Sequence, residues 1–372
     1  MNSRGYRGAA RWIVGAGNSR EDRPIHLIHG HPMKTALMFL VSMLAVACPS
    51  GHANPQDDLV AGMRLSAKQA SDLEAAVAAD PDDFAAHAKL LGYYSMTRFN
   101  STEAKESSRK NLLWIISNHP QDDIAGKLDP YIDPSSDRSG YDVAKRLWME
   151  QVKSHPGDAR VVGHAGEFFV VSDRATSENL LKQAQAMDPH DPEWPDQLGQ
   201  FYAQEDGRDA AAKALAKLEQ AQSEDTSEAH RMYRLDALAK SAFEAGEIDK
   251  ASGFANALLA EAQELPKDWN YGNAIHQGNN VLGRIALKRG DIKQADAFLL
   301  KAGRTPGSPQ LDSFGPNMSL ARDLLQAGEK QTVLQYFELC RKFWEGRGAT
   351  IDDWELQVKA GKVPEFGPNL SY

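Results

Sequence analysis

From Ser66 onward, apolar residues return at intervals of three and four in one stretch after another: SAKQASDLEAAVAA, EAKESSRKNLLWIISN, GYDVAKRLWMEQVKS and SENLLKQAQAM. That spacing lays an apolar stripe along one side of an α-helix. Each stretch runs into a similar phrase: AADPDD at 78–83, SNHPQDD at 117–123, KSHPGD at 153–158 and AMDPHD at 186–191. The prolines, Pro81, Pro120, Pro156 and Pro189, are 39, 36 and 33 residues apart, a near-regular spacing that marks a repeat. A histidine beside carboxylates, as in SNHPQDD, has the residue types of a metal or acid–base site. Yet that histidine gives way to Asp80 and Asp188 in other copies, and stacked repeats set such copies about 10 Å apart. Proline stops a helix because it lacks an N–H and clashes with the preceding turn, and a following Asp caps the next helix. The phrases therefore predict joints between helices.

The second half carries a different mark of the same unit. LDALAKSAFEAGEIDKASGFANALL (235–259), NVLGRIALKRGDIKQADAFLLKA (280–302) and MSLARDLLQAGEKQTVLQYFELC (318–340) align on Gly246-Glu247, Gly290-Asp291 and Gly328-Glu329. Each reads helix, tight turn, helix, with glycine in the left-handed position that closes one helix and an acid at the start of the next. Leu198-Gly199 with Tyr202 after Trp194, the set Leu282-Gly283, Ala295, Leu299 and Ala302, and the set Phe168, Leu181 and Ala184 give these units a resemblance to the tetratricopeptide repeat. Ser177 stands where that family usually has alanine, and other units match less well. The resemblance implies an all-α fold, a right-handed α-solenoid of stacked antiparallel helical hairpins, with five to seven hairpins between about 66 and 344. A single such domain is expected over 54–372.

Two segments interrupt the pattern. AGKLDPYIDPSSDRSGY (125–141) is rich in Pro, Asp and Ser and predicts a long connection in place of a first helix. In the tail, one short helix near 351–360 is expected, capped by Thr350 or Asp352. Trp354 and Leu356 would face inward, closing the exposed end of the stack.

Ahead of the repeats, Lys34 precedes TALMFLVSMLAVA, too short to span a bilayer comfortably and followed by small residues. That layout predicts a signal peptide at 33–53 starting from Met33, with 1–32 an upstream extension without fixed structure. Three processing outcomes stand side by side: a lipoprotein box at Ala45-Val46-Ala47 with lipidation at Cys48, ordinary cleavage after Gly51-His52-Ala53, or an anchor left uncleaved. The first two make the protein an exported bacterial one, in the periplasm or anchored to the outer membrane. Removal of residues 1–53 takes away six Lys or Arg and two Asp or Glu, moving the net charge from −9 to −13. So acidic a body argues against nucleic acid as the partner. Cys340 is then the one cysteine outside the leader; it lies within an apolar helical pattern and reads as a small core residue.

Catalytic and cofactor motifs are missing: no Gly-x-Gly-x-x-Gly, no phosphate loop, no His-Glu-x-x-His, no Gly-x-Ser-x-Gly and no Cys-x-x-Cys. No cofactor and no metal are expected. The most enzyme-like stretch, KDWNYGNAIHQGNNVLG (267–283), gathers Trp269, Tyr271, His276 and Asn280, but its Tyr271-Gly272 is echoed by Phe314-Gly315 one unit later, which favours a shared way into a helix. First helices line the inner surface of such a solenoid. Lys240, Arg284 and Arg322 directly follow Ala239, Gly283 and Ala321 at equivalent places, so they are expected to form a cationic row, with Gln277 and Asn280 within reach. Such a row would take a peptide or protein segment bearing carboxylates; pairing with Asp236 or Asp323 is the plainer alternative. The expected function is a non-catalytic binding scaffold of the cell envelope. The alternative from another class is an all-helical (α/α) enzyme acting on a glycan, with His276, Tyr271 and Trp269 as its weaker site residues. Homodimerisation through an exposed end is a further possibility.

Overall fold

The computed structural model describes residues 55–128, 131–225 and 227–370. Among them there is no strand, and the helices in order are α1 Pro55–Gly62, α2 Ala67–Ala79, α3 Phe84–Thr97, α4 Thr102–Asn118, α5 Asp123–Gly126, α6 Arg138–Ser154, α7 Ala159–Phe168, α8 Arg174–Met187 and α9 Glu193–Ala203. They continue with α10 Arg208–Glu224, α11 Glu228–Ala245, α12 Ile248–Glu264, α13 Tyr271–Lys288, α14 Ile292–Gly303, α15 Pro309–Phe314, α16 Ser319–Gln326, α17 Lys330–Cys340 and α18 Gly348–Lys359. The signal peptide, the upstream extension and Cys48 lie outside the described residues.

The proline phrases are joints. Helices α2, α4, α6 and α8 end at Ala79, Asn118, Ser154 and Met187, each just before its proline. The acid that follows caps what comes next: Asp83 accepts the Ala86 N–H, Asp122 the Ile124 N–H, and Asp158 the N–H groups of Arg160 and Val161. At the fourth joint Asp191 accepts the Glu193 N–H at 2.9 Å. The glycine turns also form as their chemistry requires. Gly246, Gly290 and Gly328 have φ of 86°, 80° and 96°. The N–H groups of Glu247, Asp291 and Glu329 return to the carbonyls of Ala242, Ala286 and Leu324, closing the left-handed helix end.

Neighbours in sequence are neighbours in space. Helices α3 and α4, α7 and α8, α9 and α10, α11 and α12, and α13 and α14 pack along one another, and the short turns between them make each pair antiparallel. First helices also meet directly, α9 with α11, α11 with α13, and α13 with α16. The buried side chains form successive apolar clusters, one around Trp148, Phe168 and Trp194, another around Leu238, Leu258 and Leu282, a third around Leu299, Tyr336 and Trp354. Cys340 is fully buried in the last, and burial raises its thiol well above the usual range.

The segment after α5 does replace a first helix: α5 has four residues, and Leu128, Tyr131 and Ile132 plug the core in its stead. In the tail, two expectations need correction. Helix α18 begins at Gly348, so Thr350 and Asp352 lie inside it and cap nothing. Trp354 is buried, but Leu356 is 68% exposed, because residues two apart sit about 200° apart around a helix and cannot share its inner face. The chain after α18 turns back, and Asn369 donates to the carbonyls of Phe314 and Pro316 while its own carbonyl takes the Met318 N–H.

The closest backbone approach involves Gly272, in the first turn of α13. A Cβ there would lie 1.8 Å from the Gly307 carbonyl oxygen, and the Gly272 carbonyl accepts from the Thr305 hydroxyl at 2.6 Å. Gly272→Ala is expected to destabilise the fold by about 1–3 kcal/mol, since backbone and not a flexible side chain must move. A urea midpoint equal to that of the parent would contradict this.

Candidate functional site

Helix α11 carries Asp236, Lys240 and Glu244 at four-residue spacing, and α13 carries Asn273, Gln277, Asn280 and Arg284 on one stripe. Arg322 and Asp323 come from α16. The first helices bring these residues to one face. Arg284 joins all three, its Nη1 2.6 Å from Glu244 and its Nε 3.0 Å from Asp323, with the guanidinium 4.3 Å above the Phe243 ring. Arg322 lies 2.9 Å from the other oxygen of Asp323, and Lys240 2.9 Å from Asp236. The side chains of Lys240, Arg284 and Arg322 stay 33%, 20% and 33% exposed.

The register read from the sequence thus places Arg284 between its neighbours, but the row is not a bare cationic one. Three carboxylates alternate with three cations, and the face is charge-balanced. Pairing wins because Asp236 sits one turn from Lys240 on the same helix, and Asp323 stands between two guanidinium groups. Partly exposed pairs of this kind contribute little to stability, about 0–1 kcal/mol each, so they leave the face free to exchange partners.

Gln277 and Asn280, expected within reach of the row, are buried beneath it, with 1% and 3% exposure. The side-chain oxygens of Asn273, Gln277 and Asn280, and one oxygen of Asp236, are buried without a hydrogen-bond partner. Asn273 and Glu244 were missed in the sequence. The spacing of Asn273 to Gln277 and Asn280 was visible there, yet a run of amides looks the same on a solvated face.

His276 is fully buried, and its ring is held on both nitrogens. Nδ1 donates to the Ala302 carbonyl at 3.2 Å, and Nε2 accepts from the Asn317 N–H at 3.0 Å and the Asn280 amide at 2.9 Å. Burial lowers its pKa to about 4, so the ring is neutral near pH 7. It is a tie between α13, the end of α14 and the loop before α16. Trp269 is half-buried and stacks on Tyr233 with ring centroids 5.5 Å apart; Tyr271 is half-buried at the start of α13.

Among the described residues, no group of three His, Cys, Asp or Glu is placed to hold a metal ion, and no helix is long and apolar enough to cross a membrane. No protein-family model matches the chain, and no curated protein matches it either. The functional reading therefore rests on the face formed by α11, α13 and α16.

Proposed function

We propose that this chain is a non-catalytic binding scaffold of the bacterial cell envelope, a right-handed tetratricopeptide-like solenoid that holds an extended peptide or protein segment across its first helices. The observation that carries the reading is the row of partly exposed Lys240, Arg284 and Arg322, interleaved with Asp236, Glu244 and Asp323 and linked from α11 through α13 to α16. The alternating charges give a ligand carboxylate or ammonium something to exchange with. Close packing at small residues supports the repeat class: a Cβ on Gly199 would meet Leu218 at 2.6 Å, and one on Gly283 would meet Leu320 at 2.2 Å. In this reading the segment 33–53 is an export signal, and the scaffold lies on the outer membrane if Cys48 is lipidated or in the periplasm if it is cleaved away.

The test is site-specific photocrosslinking in the native envelope. A photoreactive residue at Lys288, one turn beyond Arg284 and exposed, is expected to capture a protein, whereas one at Lys293 on α14 is not. Combining Lys240→Ala, Arg284→Ala and Arg322→Ala is expected to cut capture by about tenfold or more while leaving helical content unchanged. Equal capture at both sites, or capture indifferent to the three replacements, would sink the proposal. Glycan cleavage by the purified protein would replace it with the enzyme reading.

A further inference from the structure

Helix α1 stands out of order. In sequence it precedes α2, yet it packs along α3 and touches α5. Helices α1 and α2 take different faces of α3. Helix α2 meets Ala86, Leu90 and Tyr94, which form an apolar cluster with its Ala70 and Val77, whereas α1 meets Lys89 and Gly92. The approach is close: a Cβ on Gly62 would collide with the Lys89 carbonyl oxygen, and one on Gly92 with that of Leu59. Asp58 pairs with Lys89 at 3.0 Å, one turn before Gly62 reaches Gly92, so the two helices run in the same direction.

First helices of successive hairpins run this way in a stack, and the hairpin after α3 is the one whose own first helix is cut to the four residues of α5. Leu59 joins Leu91, Leu112, Leu128, Tyr131 and Ile132 in one apolar cluster. Helix α1 thus fills the slot that the shortened hairpin leaves open. Little holds it there. Leu59 and Gly62 are the buried residues of its eight, and a helix of that length does not persist alone in water. Its link to α2 is also short. Met63 to Ser66 carry the chain from one face of α3 to the other, with the N–H groups of Met63, Arg64 and Leu65 turned back to the carbonyls of Leu59, Ala61 and Gly62. Short, constrained links invite exchange of an element between copies, because the link is released while every contact of the element is remade on the partner.

We propose that the slot beside α3 is a helix-binding site that α1 of a second copy fills in trans, giving a dimer in which two copies exchange these helices. The recognition pattern is that of α1 itself: an acid for Lys89, a leucine for the apolar cluster, and a glycine three residues on for the close approach to Gly92. The exchange uses none of the residues of the α11–α13–α16 face, so it stands or falls separately.

Charge reversal tests it. In the full chain, Asp58→Lys sets two cations against each other in the slot, and Lys89→Asp sets two carboxylates against each other. Each variant is mismatched within one copy and within a dimer of its own kind. A mixture of the two matches both slots, but only when the helices cross over. Equal amounts are mixed, warmed to allow exchange and cooled, and the species are weighed by native mass spectrometry. The mixed dimer is expected to exceed either like dimer by about fivefold or more, beyond what random pairing gives, since two mismatched pairs are replaced by two matched ones. Leu59→Asp in both chains removes the apolar anchor and is expected to abolish the dimers, while circular dichroism stays near that of the parent. Monomers alone at every concentration, or a mixed dimer no more abundant than random pairing gives, would overturn the proposal. So would dimers that persist in Leu59→Asp, which would place the contact at an exposed end of the stack.

Discussion

His276→Leu is expected to lower the stability of the fold by about 3–5 kcal/mol, more than any surface change in the chain. Leucine fills a similar volume, so the loss comes from what the imidazole leaves behind. The Asn317 N–H loses its acceptor, and the Ala302 carbonyl and the Asn280 amide lose one bond each, keeping longer ones to the Thr305 N–H and the His276 carbonyl. Each abandoned buried group costs about 1–3 kcal/mol. The ring also joins α13 to the end of α14 and to the loop before α16, so local loosening is expected to spread across that hairpin. Urea unfolding measures it; a change below about 1 kcal/mol would mean that these partners find substitutes and that the tie is dispensable.

Acid is expected to destabilise the protein before its ordinary carboxylates titrate. His164, like His276, is buried and lowered to about 4 by desolvation. Its Nδ1 donates to the Pro120 carbonyl at 2.9 Å, and Nε2 has no partner. In the unfolded chain both rings titrate near 6.5. The folded pKa values are therefore depressed, and between about 6.5 and 4 the unfolded state binds protons that the folded state refuses. Stability is full above that window and falls as pH drops through it, by about 1.4 kcal/mol per pH unit for each histidine. Asp122 and Glu193, both raised by burial, act in the opposite sense, because the folded state takes up their protons first as the pH falls. Their effect partly offsets the loss. The urea midpoint is measured from pH 7 to pH 5, and His164→Asn should remove the share of the slope that His164 contributes. A midpoint that is flat over this range would contradict the assignment.

What was legible in the sequence was what local chemistry decides. A proline followed by an acid ends one helix and starts another whatever surrounds it, and so the joints at Pro81, Pro120, Pro156 and Pro189 could be read directly. The same holds for Gly246, Gly290 and Gly328, whose left-handed turns need glycine. Repeat register carried one step further and put Lys240, Arg284 and Arg322 on neighbouring helices. It could not supply Glu244 as the partner of Arg284, since that contact spans two helices and depends on how they are rotated. Burial of Asn273, Gln277 and Asn280 was illegible for a related reason: amides signal solvent in a sequence, and only the helices packed around α13 cover them. Leu356 was misplaced through simple arithmetic of helical rotation.

The histidine ties bear on how long a joint can be. Pro120 ends the run of helical N–H donors, which leaves its carbonyl open, and His164 from the next hairpin moors there. One residue added between Asn118 and Asp122 would displace that carbonyl by about 3.5 Å, beyond the reach of the ring. The joint is thus a spacer of fixed gauge, and the stack can lengthen or shorten by whole hairpins but not by single residues at this seam.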